Sequence, residues 1–443
     1  MGQAHVFGRS CHADLPVIDR GEGVYLFDQA GKRYLDACGG AAVSCLGHSD
    51  PDVKAAIAAQ MDKVPFAHTG FFTSDEAARL ADLLVDLAPG DLSHVYFVSG
   101  GSEAVEAAVK LARQYAVETG QGQRTKLIAR LQSYHGNTLG ALAAGGNLWR
   151  REAYNPLLIE TSHIPAAYPY RGQGPGESLE DYGQRVANAL EAQIEAEGPE
   201  TVLAFLAEPV VGATLGAQPA PLGYFKRIRE ICDKYGVLLI LDEVMCGSGR
   251  TGSFFAHEQE GISPDICTIA KGMGAGYQPV GAMLCTGRIF DAIANGSGFF
   301  QHGHTYIAHP MAMAAARATV EAMVERNLMP QVRQTGARFA DALTERFGQH
   351  PHIGDIRGRG LFWGMEFVEN RETKAPFDPA RKLNKKVKAA AMAEGLMCYP
   401  MGGTIDGRQG DHVLFAPPYI FTDAHIDEAV EKFARAFESA LAK

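Results

Sequence analysis

No stretch of this 443-residue chain approaches the ~18 consecutive apolar residues that a membrane-spanning helix requires. The longest runs, such as Val202–Ala207 and Val237–Leu241, stop far short. The start, Met1-Gly2-Gln3-Ala4-His5, lacks a basic region followed by an apolar one, so no secretory leader is expected. A basic excess is also missing. Forty-one Lys and Arg against 51 Asp and Glu leave a net charge of −10, which argues against a nucleic-acid or anionic-membrane partner. The eight cysteines (11, 38, 45, 232, 246, 267, 285, 398) are scattered without a Cys-x-x-Cys. A reduced, cytoplasmic setting fits this better than a disulfide framework or a structural zinc site. Internal repeats and long low-complexity tracts are absent. What remains is a composition of 46% hydrophobic and 21% charged residues, that of a globular protein of two or three domains.

The middle of the chain alternates short apolar runs with helical patterns. His94–Val98, Lys126–Leu131, Val202–Ala207, Val237–Leu241, Ile266–Ile269 and Val280–Cys285 suit strands buried on both faces. Between them Ser102–Thr119 carries Val105, Ala108, Val109, Ala112 and Ala116 at helix spacing, and Tyr224–Tyr235 carries Phe225, Ile228, Ile231 and Cys232. Residues 60–325 therefore read as a large α/β domain with a doubly wound, mainly parallel sheet. Residues 326–443 read as a smaller α+β domain: helices at Val332–Phe347, Lys382–Glu394 and Asp423–Leu441, and a glycine-spaced strand pair at Ile353–Val368. The N-terminal segment 1–59, with a hairpin around Asp28–Lys32, is assigned to that smaller domain. Tyr168–Glu180, containing Gly172, Gly174 and Gly176, reads as a surface loop.

Four segments put unusual residues just past predicted strand ends, where ligands bind in open α/β sheets. Val98-Ser99-Gly100-Gly101-Ser102-Glu103 joins a strand to a helix start, suited to an anion such as phosphate or, more simply, a capped turn. No Gly-Lys-Ser/Thr follows, so it is not a Walker loop. Tyr134-His135-Gly136 offers an aromatic face and an imidazole. Asp242-Glu243 follows five apolar residues, and a buried carboxylate there needs a cationic partner. Lys271 opens Lys271-Gly-Met-Gly-Ala-Gly276, and partial desolvation would make it a nucleophile or base. The histidines at 302, 304 and 309 have no carboxylate or cysteine beside them, so no metal is expected. An anion cradle, a carboxylate, a stacking surface and a lysine form the set of contacts that pyridoxal 5′-phosphate requires.

With those residues in place, the sequence resembles the class III (ω-amino acid and amine) aminotransferases of pyridoxal-phosphate fold type I, over nearly the whole chain. The matching stretches are Gly31-Lys-Arg-Tyr-Leu-Asp36, Gly47-His48, Ser99-Gly-Gly-Ser-Glu-Ala104, Tyr134-His-Gly136, Glu208-Pro-Val210, Asp242-Glu-Val244, Gly249-Arg-Thr-Gly252, Lys271-Gly, Gly303-His-Thr305 and Ala416-Pro417-Pro418. The resemblance implies that Lys271 carries the cofactor and moves the reaction's proton, while Asp242 pairs with the ring nitrogen. Gly101 and Ser102 would hold the phosphate, and Tyr134 with the adjoining His135 and Val244 would enclose the ring. Glu208 would lie near a cofactor oxygen or the substrate. Thr305 would reach the phosphate of a neighbouring subunit, which implies a homodimer with shared sites, or a tetramer of such dimers. The family's carboxylate-clamping arginine has a counterpart in Arg408, although the loop Met401–Gln409 is longer than the pattern leads one to expect. Arg408 is thus either that clamp or a solvated loop residue.

The expected activity is transfer of an amino group from an amine or ω-amino acid to a 2-oxo acid, pyruvate or else 2-oxoglutarate, in a ping-pong reaction through pyridoxamine phosphate. A phospho-lyase, racemase or aminomutase on the same scaffold is the alternative. A regulatory protein of this fold would need a DNA-binding region, for which a fold match starting near residue 20 leaves no room.

Overall fold

A computed structural model describes residues 5–442; Met1–Ala4, where a leader was sought, lie outside the described residues. Seven strands form the main sheet: β1 (Leu92–Val98), β2 (Lys126–Arg130), β3 (Thr161–Ile164), β4 (Val202–Ala207), β5 (Leu238–Asp242), β6 (Ile266–Ala270) and β7 (Gly281–Thr286). Their order across the sheet is β1-β7-β6-β5-β4-β2-β3. All run parallel except β7, which is antiparallel to both neighbours.

The two-residue period of the strands explains why they are apolar throughout. Leu206, Leu238 and Ile240 pack on one face with α1 (Gly101–Glu118), through Val105, Ala108 and Ala112. Phe205, Ala207, Leu239 and Leu241 pack on the other with α2 (Leu179–Glu197) and α3 (Tyr224–Tyr235), through Leu190, Ile194, Phe225 and Ile228. Every side chain of β4 and β5 is buried. The sheet is therefore wound on both sides, as the apolar runs predict.

A second, antiparallel sheet orders Ile353–Arg359, Phe362–Phe367, Asp411–Phe415 and Tyr399–Gly402. The N-terminal strands Ile18–Glu22, Tyr25–Asp28 and Arg33–Asp36 form a third, to which Leu396–Met397 adds in parallel, so the two chain ends share one sheet.

Two local expectations change. Tyr168–Glu180 is not a plain surface loop: Tyr168 is buried, Pro169–Gly172 is a helical turn, and α2 begins at Leu179. The Tyr168 hydroxyl and the Arg171 guanidinium both donate to the buried Glu366 carboxylate of the second sheet, Arg171 Nε at 2.7 Å. The glycines shape only the outer tip, while the aromatic and cationic residues before them strap the two sheets together. The edge strand β3 went unpredicted because its sequence, Thr-Ser-His-Ile, has no apolar run and only Ile164 is buried.

Candidate active site

Parallel strands present their C-terminal ends along one edge of the sheet, and the predicted residues converge there. A cavity of about 350 Å³ is lined by Ser99–Ser102 after β1, Tyr134–Gly136 after β2, Glu208 after β4, Asp242 and Val244 at the end of β5, and Lys271 after β6. Each position follows from where its strand runs out.

Asp242 is the last residue of β5, and its carboxylate is the most heavily held group of the site. Oδ2 pairs with His135 Nδ1 at 2.8 Å, and Oδ1 accepts from the Val244 N–H at 3.0 Å and the Thr268 hydroxyl at 3.4 Å. Thr268 escaped the sequence reading. Its signal was register: in the β5–β6 pair Thr268 lies directly beside Asp242. The adjacent Glu243 points the other way, into the turn at Phe255–Glu260. There it accepts from the His257 N–H at 2.8 Å and faces His257 Nδ1 at 2.7 Å. Glu243, His257 and Cys267 cluster closely enough to suggest a metal trio. The Glu243 oxygens are nevertheless already engaged by the backbone of that turn.

Lys271 sits in the left-handed backbone region, at φ +44°. For a residue with a side chain this costs about 1–2 kcal/mol, a strain that clusters at functional positions. Desolvation lowers the Lys271 ammonium from its usual range, partly opposed by the negative charges of Asp242 and Glu208. Glu208 is buried and accepts from the Tyr134 and Gly212 N–H groups at 3.2 and 3.1 Å; burial raises its carboxyl. Tyr134 is half-buried, its phenol also raised by burial.

At the start of α1 the first-turn N–H groups have no partners within the helix, and Ser102 adds a hydroxyl. Space is tight on the protein side. A Cβ on Gly101 would meet Val244 Cγ1 at 2.7 Å, and one on Gly136, at φ +137°, would meet Ser102 Oγ at 2.6 Å. Gly100, by contrast, faces open space. The glycines let the helix start and the Tyr-His-Gly turn approach each other while leaving the mouth clear.

Thr305 and Arg408 do not line this cavity. Thr305 lies in an exposed turn. Arg408 is exposed, with its guanidinium 3.0 Å from Glu152. Of the three histidines, His302 and His304 pack edge to face, 4.8 Å between ring centres. Sequence reasoning missed Val43, Met245, Gln278 and Pro279 on the cavity wall. They come from turns with no motif to mark them.

The sequence profile described as aminotransferase class-III matches residues 7–437. The chain belongs to the class III aminotransferases. An uncharacterized aminotransferase of Schizosaccharomyces pombe is 46% identical over 433 residues, covering 96% of this chain and 93% of the relative. Among solved structures, a thermostable (S)-enantioselective omega-transaminase from Thermomicrobium roseum superposes with a TM-score of 0.92 at 36% identity, over 99% of this chain and 96% of that one. The omega transaminase from Pseudomonas jessenii in complex with PMP gives 0.92 at 33% identity, over 98% and 97%. The fold is therefore that of the fold type I transaminases, and class III aminotransferases depend on pyridoxal 5′-phosphate. The residues present fit that cofactor. Unpaired N–H groups and a hydroxyl await an anion, a carboxylate held by three donors awaits a protonated ring nitrogen, and a lysine of lowered basicity stands on the same wall.

Proposed function

We propose that this aminotransferase transfers an amino group from an amine or ω-amino acid to a 2-oxo acid, with pyruvate as the first acceptor to test, in two half-reactions. The observation that carries this reading is the placement of Asp242, locked by His135, and Lys271 at the ends of neighbouring strands on one 350 Å³ cavity. When bound, pyridoxal phosphate supplies an electron sink for the substrate's α-carbon. The chain's own residues do the rest. Asp242, fixed in place by its donors, would pair with the ring nitrogen and hold its proton. Lys271, desolvated and of lowered basicity, anchors the cofactor and shuttles the proton at the reacting carbon. Gly101 and Ser102 bind the phosphate through N–H and hydroxyl, and Tyr134 and Val244 enclose the ring.

Residues 60–325 supply this machinery, and residues 1–59 join 326–443 in the smaller unit. A shared-site homodimer is supported by exposed aromatics, with Phe71 81%, Phe72 69%, Phe299 69% and Tyr306 61% accessible, the last beside Thr305. Eight free thiols fit a cytoplasmic setting. Among the described residues no helix is long and apolar enough to cross a membrane.

Following each half-reaction by cofactor absorbance tests the reading. Amines, β-alanine and 4-aminobutyrate should bleach the loaded enzyme, and pyruvate should restore it. Phosphate release or racemisation without a 2-oxo acid would refute it.

A further inference from the structure

A second cavity, of about 580 Å³, adjoins the catalytic one through Arg150 on its wall, which lies over the Tyr134 ring. Its walls carry six cations, Arg9, Arg150, Lys382, Lys385, Lys388 and Arg408, and one carboxylate, Asp411. In a chain of net charge −10 this is a pronounced concentration of one sign. Among the described residues only Arg408 of the six has a carboxylate within ion-pair distance, Glu152. Like charges gathered around one concavity repel unless an anion sits between them.

The cavity is built rather than incidental. Its roof is the long loop 401–410, which Gln132 pins to the main sheet by donating to the Gly403 and Thr404 carbonyls at 2.8 and 2.9 Å. The Gln132 amide oxygen accepts in turn from Asn147 at 2.9 Å. Gly407, at φ +86°, lies so close to the 148–149 backbone that a Cβ would meet the Trp149 nitrogen at 3.1 Å. The loop is thereby laid across residues 147–152, which places Arg408 on this wall and not at Lys271. Lys385 and Lys388 stand one turn apart on the helix Leu383–Ala393. Tyr134 and Arg150 link the two cavities: Tyr134 lines the catalytic one, Arg150 lines the second, and the guanidinium lies 4.7 Å from the tyrosine ring centre. Arg9 and Tyr399 are also within electrostatic reach of the Tyr134 phenol.

Size points the same way. The catalytic cavity is at the low end for a ligand site and must already hold the cofactor. A substrate longer than a few atoms reaches out of that cavity, and the cationic space is next to it across the Tyr134–Arg150 contact. One carboxylate cannot engage six cations distributed around 580 Å³. We propose that this second cavity binds the polyanionic end, phosphate or clustered carboxylates, of a substrate whose amino or oxo end passes Tyr134 to reach Lys271.

This inference rests on the transaminase reading for its chemistry but not for its binding. Tripolyphosphate titrated into the cofactor-loaded enzyme, whose phosphate cradle is filled, should bind with an affinity that falls steeply with salt. The Lys385→Gln/Lys388→Gln variant should lose tenfold or more of that affinity. With the matched donors 6-aminohexyl phosphate and hexylamine, the ratio of their kcat/KM values should fall at least tenfold in the same variant. A charge-reversing Lys388→Glu single variant, checked by its melting curve, repeats the test should the double variant not fold. No tripolyphosphate binding, or a donor ratio unmoved by both variants, overturns the anion site. Lysine-dependent binding of tripolyphosphate in an enzyme that no amine bleaches supports the anion site and refutes the transaminase reading instead.

Discussion

Replacing His135 isolates how much of the rate depends on holding Asp242 in place. The imidazole makes one hydrogen bond, Nδ1 to Asp242 Oδ2 at 2.8 Å, and its buried Nε2 has no partner. In His135→Leu the carboxylate keeps the Val244 N–H and the longer Thr268 hydroxyl contact but loses its best-placed side-chain donor. A buried hydrogen bond to a charged group contributes about 1.5–3 kcal/mol. If that energy goes into holding Asp242 where it would meet the protonated ring nitrogen, the rate falls roughly 10- to 100-fold, at 1.36 kcal/mol per decade. His135→Asn supplies the comparison, because its amide N–H occupies nearly the position of Nδ1 and nothing needs to replace Nε2.

The assay is single-turnover bleaching of the cofactor by a saturating amine, so that binding and chemistry separate. The expected pattern is a slow leucine variant with little change in half-saturation, and an asparagine variant restored most of the way. Equal rates for leucine and asparagine, or a leucine variant within twofold of wild type, would refute the argument. His135 would then be packing alone.

Lys271→Ala should still take up cofactor through the Gly101–Ser102 cradle yet lose about 10³-fold or more in turnover, roughly 4 kcal/mol; borohydride reduction of the wild type followed by peptide mapping should find the cofactor on Lys271 and on no other lysine. Asp242→Asn should keep its melting temperature and lose activity. Glu243→Gln, which weakens the bonds to the 256–257 turn, should do the reverse, losing about 1–3 kcal/mol in urea melts. His412 is fully buried, and burial with the nearby Arg357 charge pushes it down to about 3. The unfolded chain therefore binds a proton that the folded chain does not, between pH 6.5 and about 3. The stability from this group is complete above 6.5 and falls by about 1.4 kcal/mol per pH unit below it. Against His412→Gln, wild-type urea stability should drop by roughly 2 kcal/mol between pH 6.5 and 5, and parallel pH curves would show that another group titrates.

Much of the fold was legible because fully buried strands announce themselves. Val202–Ala207, Tyr224–Tyr235 and Asp423–Leu441 are found where the pattern put them. The meeting of Asp242 and Lys271 on one cavity was legible for the same reason, since a charge at the end of an apolar run has to be explained. What stayed hidden depends on three-dimensional neighbours. Thr268 matters because β5 and β6 pair in one particular register. Tyr168 is buried because Glu366, almost two hundred residues later, receives its hydroxyl. The antiparallel course of β7 leaves no mark on its composition, as both faces are covered either way. The cationic cavity is assembled from residues 9, 150, 382–388 and 408, each an unremarkable surface charge when viewed along the chain.

The pair Asp242-Glu243 shows how the packing pattern selects the chemistry. The two carboxylates are adjacent and almost the same in kind, yet one faces the cofactor cavity and the other stitches a turn. Nothing local distinguishes them. The difference comes from β5, where Leu238 and Ile240 pack toward α1 while Leu239 and Leu241 pack toward α2 and α3. A slip of one residue would exchange those two faces and bring Glu243, one methylene longer, to the position beside Thr268. The carboxylate beside His135 would then stand on a longer side chain, and the 2.8 Å contact would not be kept. The hydrophobic alternation of the strand therefore decides which of the two carboxylates faces the cavity. Changes in the size of Leu239 or Ile240 should reach the reaction through the position of Asp242 before they reach the fold.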